Sequence, residues 1–241
     1  MTLKHALNNS LQKSDTWCAK GFIPGSTETT FGVGRIGISV GRLIPGYKVS
    51  ALVFAYNFFS KLSQRLMDAL HPTPNLKSDT IQNFLLLIKP LEGLLDAVLR
   101  IIHPEMWITN SDATEQLIRR LPSPLCAWPT VYGGMDVIAN RVTPSHCDGG
   151  SAFSFYDHLL SLGQDHDAKL KLDDLGAEFE YLPGTGVWLT GRGLSHSVPP
   201  WTQGERVVIA HYSKDDVLDR LGIPRPSLPV QAKWLSEYLL T

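Results

Sequence analysis

At 241 residues, 43% hydrophobic and 19% charged, the chain is long enough to bury one large core and too apolar for a disordered tail. A formal net charge of −1 excludes a globally basic nucleic-acid binder. Three scattered cysteines, Cys18, Cys126 and Cys147, exclude a disulfide framework or a structural zinc cluster, so a reducing, intracellular compartment and no zinc are expected.

Residues 1–50 form a basic, glycine-rich segment. Residues 1–74 carry eight basic side chains, including Lys20, Arg35, Arg42 and Lys48, against three acidic ones. "GVGRIG" (Gly32, Gly34, Gly37) matches the dinucleotide-binding spacing, but no strand precedes it, no helix follows it and no acid lies about 20 residues on; loops or irregular strands are expected instead. "MTLKHALNNS" has no apolar signal core.

From 51 to 125 the apolar residues recur at helical spacing, in "ALVFAYNFFSKLSQRLMDAL", in "TIQNFLLLI" with its continuation past Pro90, and in "DATEQLIRRL", where Asp112 and Glu115 have capping-box spacing. Three or four helices are predicted, with "TPNLKSD" (73–79) as an exposed connection. The most apolar window, "FLLLIKPLEGLLDAVLRII", is broken by Lys89, Glu92, Asp96 and Arg100, which predicts a packed helix and no membrane span.

From about 131 the texture changes to short runs such as "MDVIANRV", "AFSFYDHLLSL", "KLKLD", "AEFEYL", "GVWLTGR" and "RVVIAHYS", separated by turn signals. Residues 131–215 therefore read as an antiparallel barrel, and 216–241 as a tail with a short helix. Helices first and strands second imply one α+β domain over 1–241, a double-stranded β-helix (jelly-roll or cupin-like barrel) in the C-terminal half covered by helices from the N-terminal half.

"RVTPSHCDGG" places His146 two residues before Asp148. His103-Pro104-Glu105 has the same form at the end of a helical run, so the pair needs support. The support is "GRGLSHSVPPWTQGERVVIAHYS", with His196 and then Arg206 on a separate predicted strand. Two histidines and one carboxylate on one barrel face leave three positions open on an octahedral ferrous ion, which a bidentate 2-oxo acid and dioxygen can fill. The distal carboxylate of 2-oxoglutarate would suit a guanidinium fork. On the period of two, Arg206 shares a face with Val208, Ala210 and Tyr212, toward the interior. Singly, Asp148 could cap a turn before Gly149, His196 could be structural and Arg206 could be a strand-end arginine; their order in the barrel half favours the metal set His146, Asp148 and His196. Cys147 should point away. His211, one residue off the interior face, is expected to point outward, and His158 and His166 to lie in a solvated loop.

"NRVTPSHCDGGSAFSFYDHLLSLG" followed by "LPGTGVWLTGRGLSHSVPPWTQGERVVIAHY" resembles the TET and J-binding-protein branch of the Fe(II)/2-oxoglutarate oxygenases, especially the small fungal TET-like proteins. The resemblance covers roughly residues 100–215. It implies a nuclear enzyme that oxidises a methylated base in DNA, 5-methylcytosine or N6-methyladenine, with Fe(II), 2-oxoglutarate and dioxygen. By matching position, His146, Asp148 and His196 would hold the iron and Arg206 the co-substrate, with Arg141, five residues before the first histidine, as a second contact. The target nucleotide of a duplex would be flipped into the pocket by a monomeric enzyme, with Tyr212, Phe153 and Phe155 as candidate aromatics and Lys20, Arg35, Arg42 and Lys48 as candidate phosphate contacts. The cysteine-rich zinc-binding segment of the animal members is missing. The rival readings are an oxygenase of the same chemistry acting on a protein side chain or small molecule, and a barrel that only binds.

Overall fold

A computed structural model describes residues 34–43, 70–119 and 128–229. The readings for Cys18, Cys126, Lys20, Lys48 and the helix expected from residue 51 lie outside the described residues, as does the side chain of Arg42.

The chain runs β1 (Gly34–Ser39), β2 (Arg42–Leu43), β3 (Leu70–His71), a 3₁₀ turn (Pro74–Lys77), α1 (Asp79–Ile102) and α2 (Pro104–Ile118). It continues as β4 (Gly134–Ala139), β5 (Thr143–His146), β6 (Asp157–Gln164), β7 (Lys169–Leu172), β8 (Ala177–Glu180), β9 (Gly186–Leu189), β10 (His196–Val198), β11 (Glu205–Tyr212) and α3 (Asp215–Leu221). A five-stranded sheet, β1-β4-β11-β6-β9, faces a four-stranded sheet, β5-β10-β7-β8, and every pairing is antiparallel. This is a double-stranded β-helix with helices on one side, the α+β fold expected.

Period-2 alternation assigns the larger sheet's two faces. Ile36, Ile38, Met135, Val137, Ala139, Leu160 and Ile209 point out of the barrel and pack with Ile81, Leu85 and Leu95 of α1 and Leu117 of α2. Leu170, Tyr181, Leu189, Val198, Trp201 and Val208 fill part of the interior. The outer face is thus as dry as the inner one, because α1 presents Ile81, Leu85 and Leu95 at helical spacing against it.

Several expectations are corrected by this covering. Gly34 and Gly37 of "GVGRIG" lie in the regular strand β1, whose Ile36 and Ile38 supply apolar anchors, and Gly32 lies outside the described residues. Residues 73–79 are the connection expected, with Pro74, Asn75, Lys77 and Asp79 exposed, but it is anchored: Thr73 and Leu76 are buried, and Ser39 and Thr73 exchange backbone and side-chain hydrogen bonds at 2.9 Å. Asp112 lies inside α2, which starts at Pro104 with His103 as the joint, so it caps nothing. His158 is a fully buried residue of β6, where the polar letters around it hid the strand; His166 does lie in the loop between β6 and β7, but it is buried there. His211 does point out of the barrel, but into the dry seam beneath α1.

Candidate metal centre

β5 and β10 are neighbours, and their register sets His146 directly opposite His196. The two rings lie 4.2 Å apart. The Asp148 backbone N–H donates to the Gly191 carbonyl at 2.8 Å, fixing the turn after β5 against the β9–β10 loop. Its carboxylate then reaches both histidines: Oδ1 is 3.6 Å from His146 Nε2 and Oδ2 is 3.7 Å from His196 Nε2. One ligand atom from each of the three lies within 4.8 Å of the others.

The tautomers follow from the second nitrogen of each ring. His146 Nδ1 is 2.9 Å from the Pro144 carbonyl and His196 Nδ1 is 3.0 Å from the Leu194 carbonyl. A carbonyl only accepts, so each Nδ1 donates, and in the neutral ring the Nε2 lone pair faces Asp148. Burial holds His196 below the usual imidazole range. For His146, burial pulls the same way but is outweighed by its contact with Asp148 and by the Pro144 carbonyl, which raise it. Asp148 lies below the usual carboxylate range; burial opposes the shift and the His146 contact drives it. Cys147 is exposed between the two ligands and contributes none of this donor set.

The triad opens on a cavity of about 440 Å³ between the two sheets. Arg206, 4% exposed, lies on β11 with Val208, Ala210 and Tyr212 on the cavity wall. Its guanidinium carbon sits 5.0 Å from the centre of the Tyr181 ring, Nη1 donates to the Arg141 carbonyl at 3.3 Å, and Nε has no hydrogen-bond partner among the described residues. No ion pair neutralises Arg206 among those residues, so a buried cation faces the cavity with no carboxylate against it. Arg141 is 3% exposed and lines the same cavity. Asn140, in the left-handed region at φ 48°, joins the two arginines: its Oδ1 accepts from the Arg206 N–H at 2.9 Å and its own N–H donates to the Arg206 carbonyl at 2.8 Å.

Other wall residues were not singled out in the sequence. Asp157, inward on β6, is pushed up to about 8 by burial, with the Asp148 charge adding, so it is protonated at neutral pH. Asp136, inward on β4, accepts from Arg35 Nη2 at 2.7 Å. Lys214 Nζ lies 4.7 Å from the Tyr212 ring. Only the alternation of "GMDVIA" and "DHLLSL" could have placed the two aspartates inside, once the apolar face had been assigned to the helices. Phe155 is fully buried in the cluster with Leu99, Met106 and Tyr132, away from the cavity wall, whereas Phe153 is 62% exposed beside Arg192.

The donor set fits a ferrous ion: two imidazole nitrogens and one carboxylate converge, with room left in the cavity. The buried arginine fits a dicarboxylate co-substrate, since its fork has no protein anion.

Strand order and donor set together define a double-stranded β-helix protein with a two-histidine, one-carboxylate centre. No family model matches the chain, and no curated protein does. Among solved structures it is similar to NgTET1 in complex with 5mC DNA, at 15% identity and a TM-score of 0.47, over 70% of this chain and 63% of that one. It is also similar to a cupin 2 conserved barrel domain protein from Salinispora arenicola, at 23% identity and a TM-score of 0.28, over 43% of this chain and 78% of that one. The chain thus spans about 63% of the length of the first. Among the described residues no helix is long and apolar enough to cross a membrane.

Proposed function

We propose that the protein is an Fe(II)/2-oxoglutarate-dependent dioxygenase that oxidises a methylated base in DNA. The observation that carries the chemistry is the convergence of His146 Nε2, His196 Nε2 and the Asp148 carboxylate on a cavity that also holds the anion-free Arg206. Iron(II) with 2-oxoglutarate and dioxygen supplies oxidation of an unactivated methyl C–H bond, the co-acid leaving as succinate and carbon dioxide.

The protein's own groups set up that reaction. The Pro144 and Leu194 carbonyls hold the two imidazoles in the tautomer that aims Nε2 inward. Arg206 offers its fork to the distal carboxylate, and Arg141, tied to it through Asn140, adds positive charge at the same end. Val208, Ala210 and Leu159 keep the wall apolar, which strengthens each charge–charge contact inside. A base inside duplex DNA cannot enter such a cavity while stacked, so a duplex target is flipped, with Tyr212 on the wall as the aromatic surface available to it. In this reading the enzyme works as a nuclear monomer over one catalytic domain.

The test is nucleoside mass spectrometry of oligonucleotides carrying 5-methylcytosine or N6-methyladenine, incubated with the protein, Fe(II), 2-oxoglutarate and ascorbate beside a His146→Ala control. Oxidised or demethylated base in the wild-type reaction alone is the expected result. Succinate formation with both bases untouched would move the substrate to a protein side chain or small molecule.

A further inference from the structure

The cavity wall carries a further polar group, assigned above neither to the metal set nor to the co-substrate. Asp136 sits on β4 opposite Gly37 of β1 and Ala210 of β11, with its side chain turned into the cavity. One oxygen, Oδ2, accepts from Arg35; the other, Oδ1, is buried and has no hydrogen-bond partner among the described residues. A purely structural ion pair would use both oxygens of a carboxylate buried this deeply, because an unsatisfied one costs stability. The backbone leaves room for this exception. A Cβ at Gly37 would come within 2.9 Å of Oδ1, so the strand is bare where the carboxylate leans, and this accounts for one glycine of "GVGRIG".

We propose that Asp136, held by Arg35, is the specificity-determining residue that reads the amino edge of the substrate base. The inference rests on the nucleobase reading above. A carboxylate that accepts beside a guanidinium that donates is the complement of cytosine, whose 4-amino group donates and whose ring N3 accepts. Thymine presents the reverse pattern, with O4 accepting and N3–H donating, although its methyl group occupies the same ring position. The methyl is adjacent to the C4 substituent, so one pose in this cavity offers the methyl to the metal side and the amino group to Oδ1. A wall that reads hydrogen bonds separates the two pyrimidines far more sharply than an apolar wall could, because the wrong partner leaves a buried charge facing an acceptor.

The test compares 5-methylcytosine and thymine at one position of otherwise identical oligonucleotides, single-stranded and duplex, for wild type and Asp136→Asn. Wild type is expected to favour 5-methylcytosine in kcat/KM by about 100-fold or more. The Asn amide can donate to O4, so in Asp136→Asn the preference falls at least tenfold and thymine oxidation rises in absolute terms. Binding of the same oligonucleotides to metal-free protein, followed by anisotropy, is expected to show the same change in ratio. Gly37→Ala keeps the carboxylate but pushes it from its place, and serves if Asp136→Asn melts at a much lower temperature; its ratio falls as well. Base oxidation that drops equally for both pyrimidines in both variants overturns the inference and leaves the nucleobase reading standing. Succinate formation by wild type with neither base oxidised nor discriminated in binding removes both.

Discussion

Replacing Gly191 with alanine tests how tightly the centre is built. An added Cβ would lie 2.5 Å from Asp148 Oδ2 and 2.5 Å from Asp157 Oδ2. Carbon–oxygen contact is comfortable about 1 Å further out, so both carboxylates must retreat by that amount or the loop must part from them. Parting is opposed by the 2.8 Å bond from the Asp148 N–H to the Gly191 carbonyl. Gly191 is not among the glycines with a left-handed backbone, so alanine meets no φ penalty and the effect is one of contact alone. A 1 Å retreat takes Asp148 Oδ2 away from the point it shares with His196 Nε2, now 3.7 Å distant. Loss of a well-placed ligand position of this kind is worth about 10–100-fold in metal affinity, or about 1.4–2.7 kcal/mol. Calorimetric titration of metal-free protein with Mn(II) or Co(II) reads this directly, with thermal melting alongside. Affinity within twofold of wild type would refute the placement of Asp148 in the centre, since nothing else next to Gly191 relieves the overlap.

Arg206→Lys keeps the charge but loses the fork and the stacking on Tyr181, so the KM for 2-oxoglutarate in succinate formation should rise about tenfold or more, with a smaller change in kcat. Acid stability should follow His158, which burial lowers from 6.5 to about 3 and which is neutral in the fold. Its contribution is complete above pH 6.5 and is lost as the pH falls from there toward 3, a few kcal/mol in all; urea midpoints measured from pH 7 to pH 4 should fall, and the slope should flatten in His158→Phe. Asp96 works in the opposite sense: burial raises it to about 6, so what it contributes is complete below its ordinary 3.8 and is lost as the pH rises through 6. Asp96→Asn should therefore gain stability relative to wild type at pH 7.5 and lose that gain by pH 4, which paired melting curves would show; equal differences at both values would contradict the assignment.

The barrel was legible in the sequence wherever short apolar runs alternated between turn signals, as in "MDVIAN" and "RVVIAHY". The inward face of β11 could be read from the period-two set Arg206, Val208, Ala210 and Tyr212. What sequence could not show was that the outer face of the same sheet is dry. Alternation of polar and apolar letters normally marks one wet face, which sends His211 outward, and the polar letters of "DHLLSLGQDHD" normally mark a solvated loop around His158; only the packing of α1 reveals both as buried. The centre was half legible for a similar reason. His146 and Asp148 are close in sequence and mark themselves, and His196 follows from order, but Gly191, Asn140, Asp136 and Asp157 act through the register of strands far apart in the chain. Asn140 in particular is one letter of the run "MDVIANRV", and its bonds to Arg206 span 66 positions.

The buried seam behind the sheet also bears on why the centre forms in one register. His158 and His211 are cross-strand partners on β6 and β11, with Nδ1 atoms 3.0 Å apart, and His211 Nε2 lies 3.0 Å from the fully buried Glu92 of α1. The contacts run as one buried chain of polar atoms from β6 through β11 to α1. A slip of β11 by one residue would reverse its faces, turning Arg206 out of the cavity and His211 into it. The same slip would put Ala210 or Tyr212 in the place of His211 and break its contacts with both Glu92 and His158, a penalty that purely apolar strands would not incur. The polar pair contributes little net attraction after desolvation, yet it discriminates strongly against the wrong register. The helical layer thus does more than cover the barrel: through Glu92 it holds β11 in the alignment that keeps Arg206, Val208 and Ala210 facing the metal ligands.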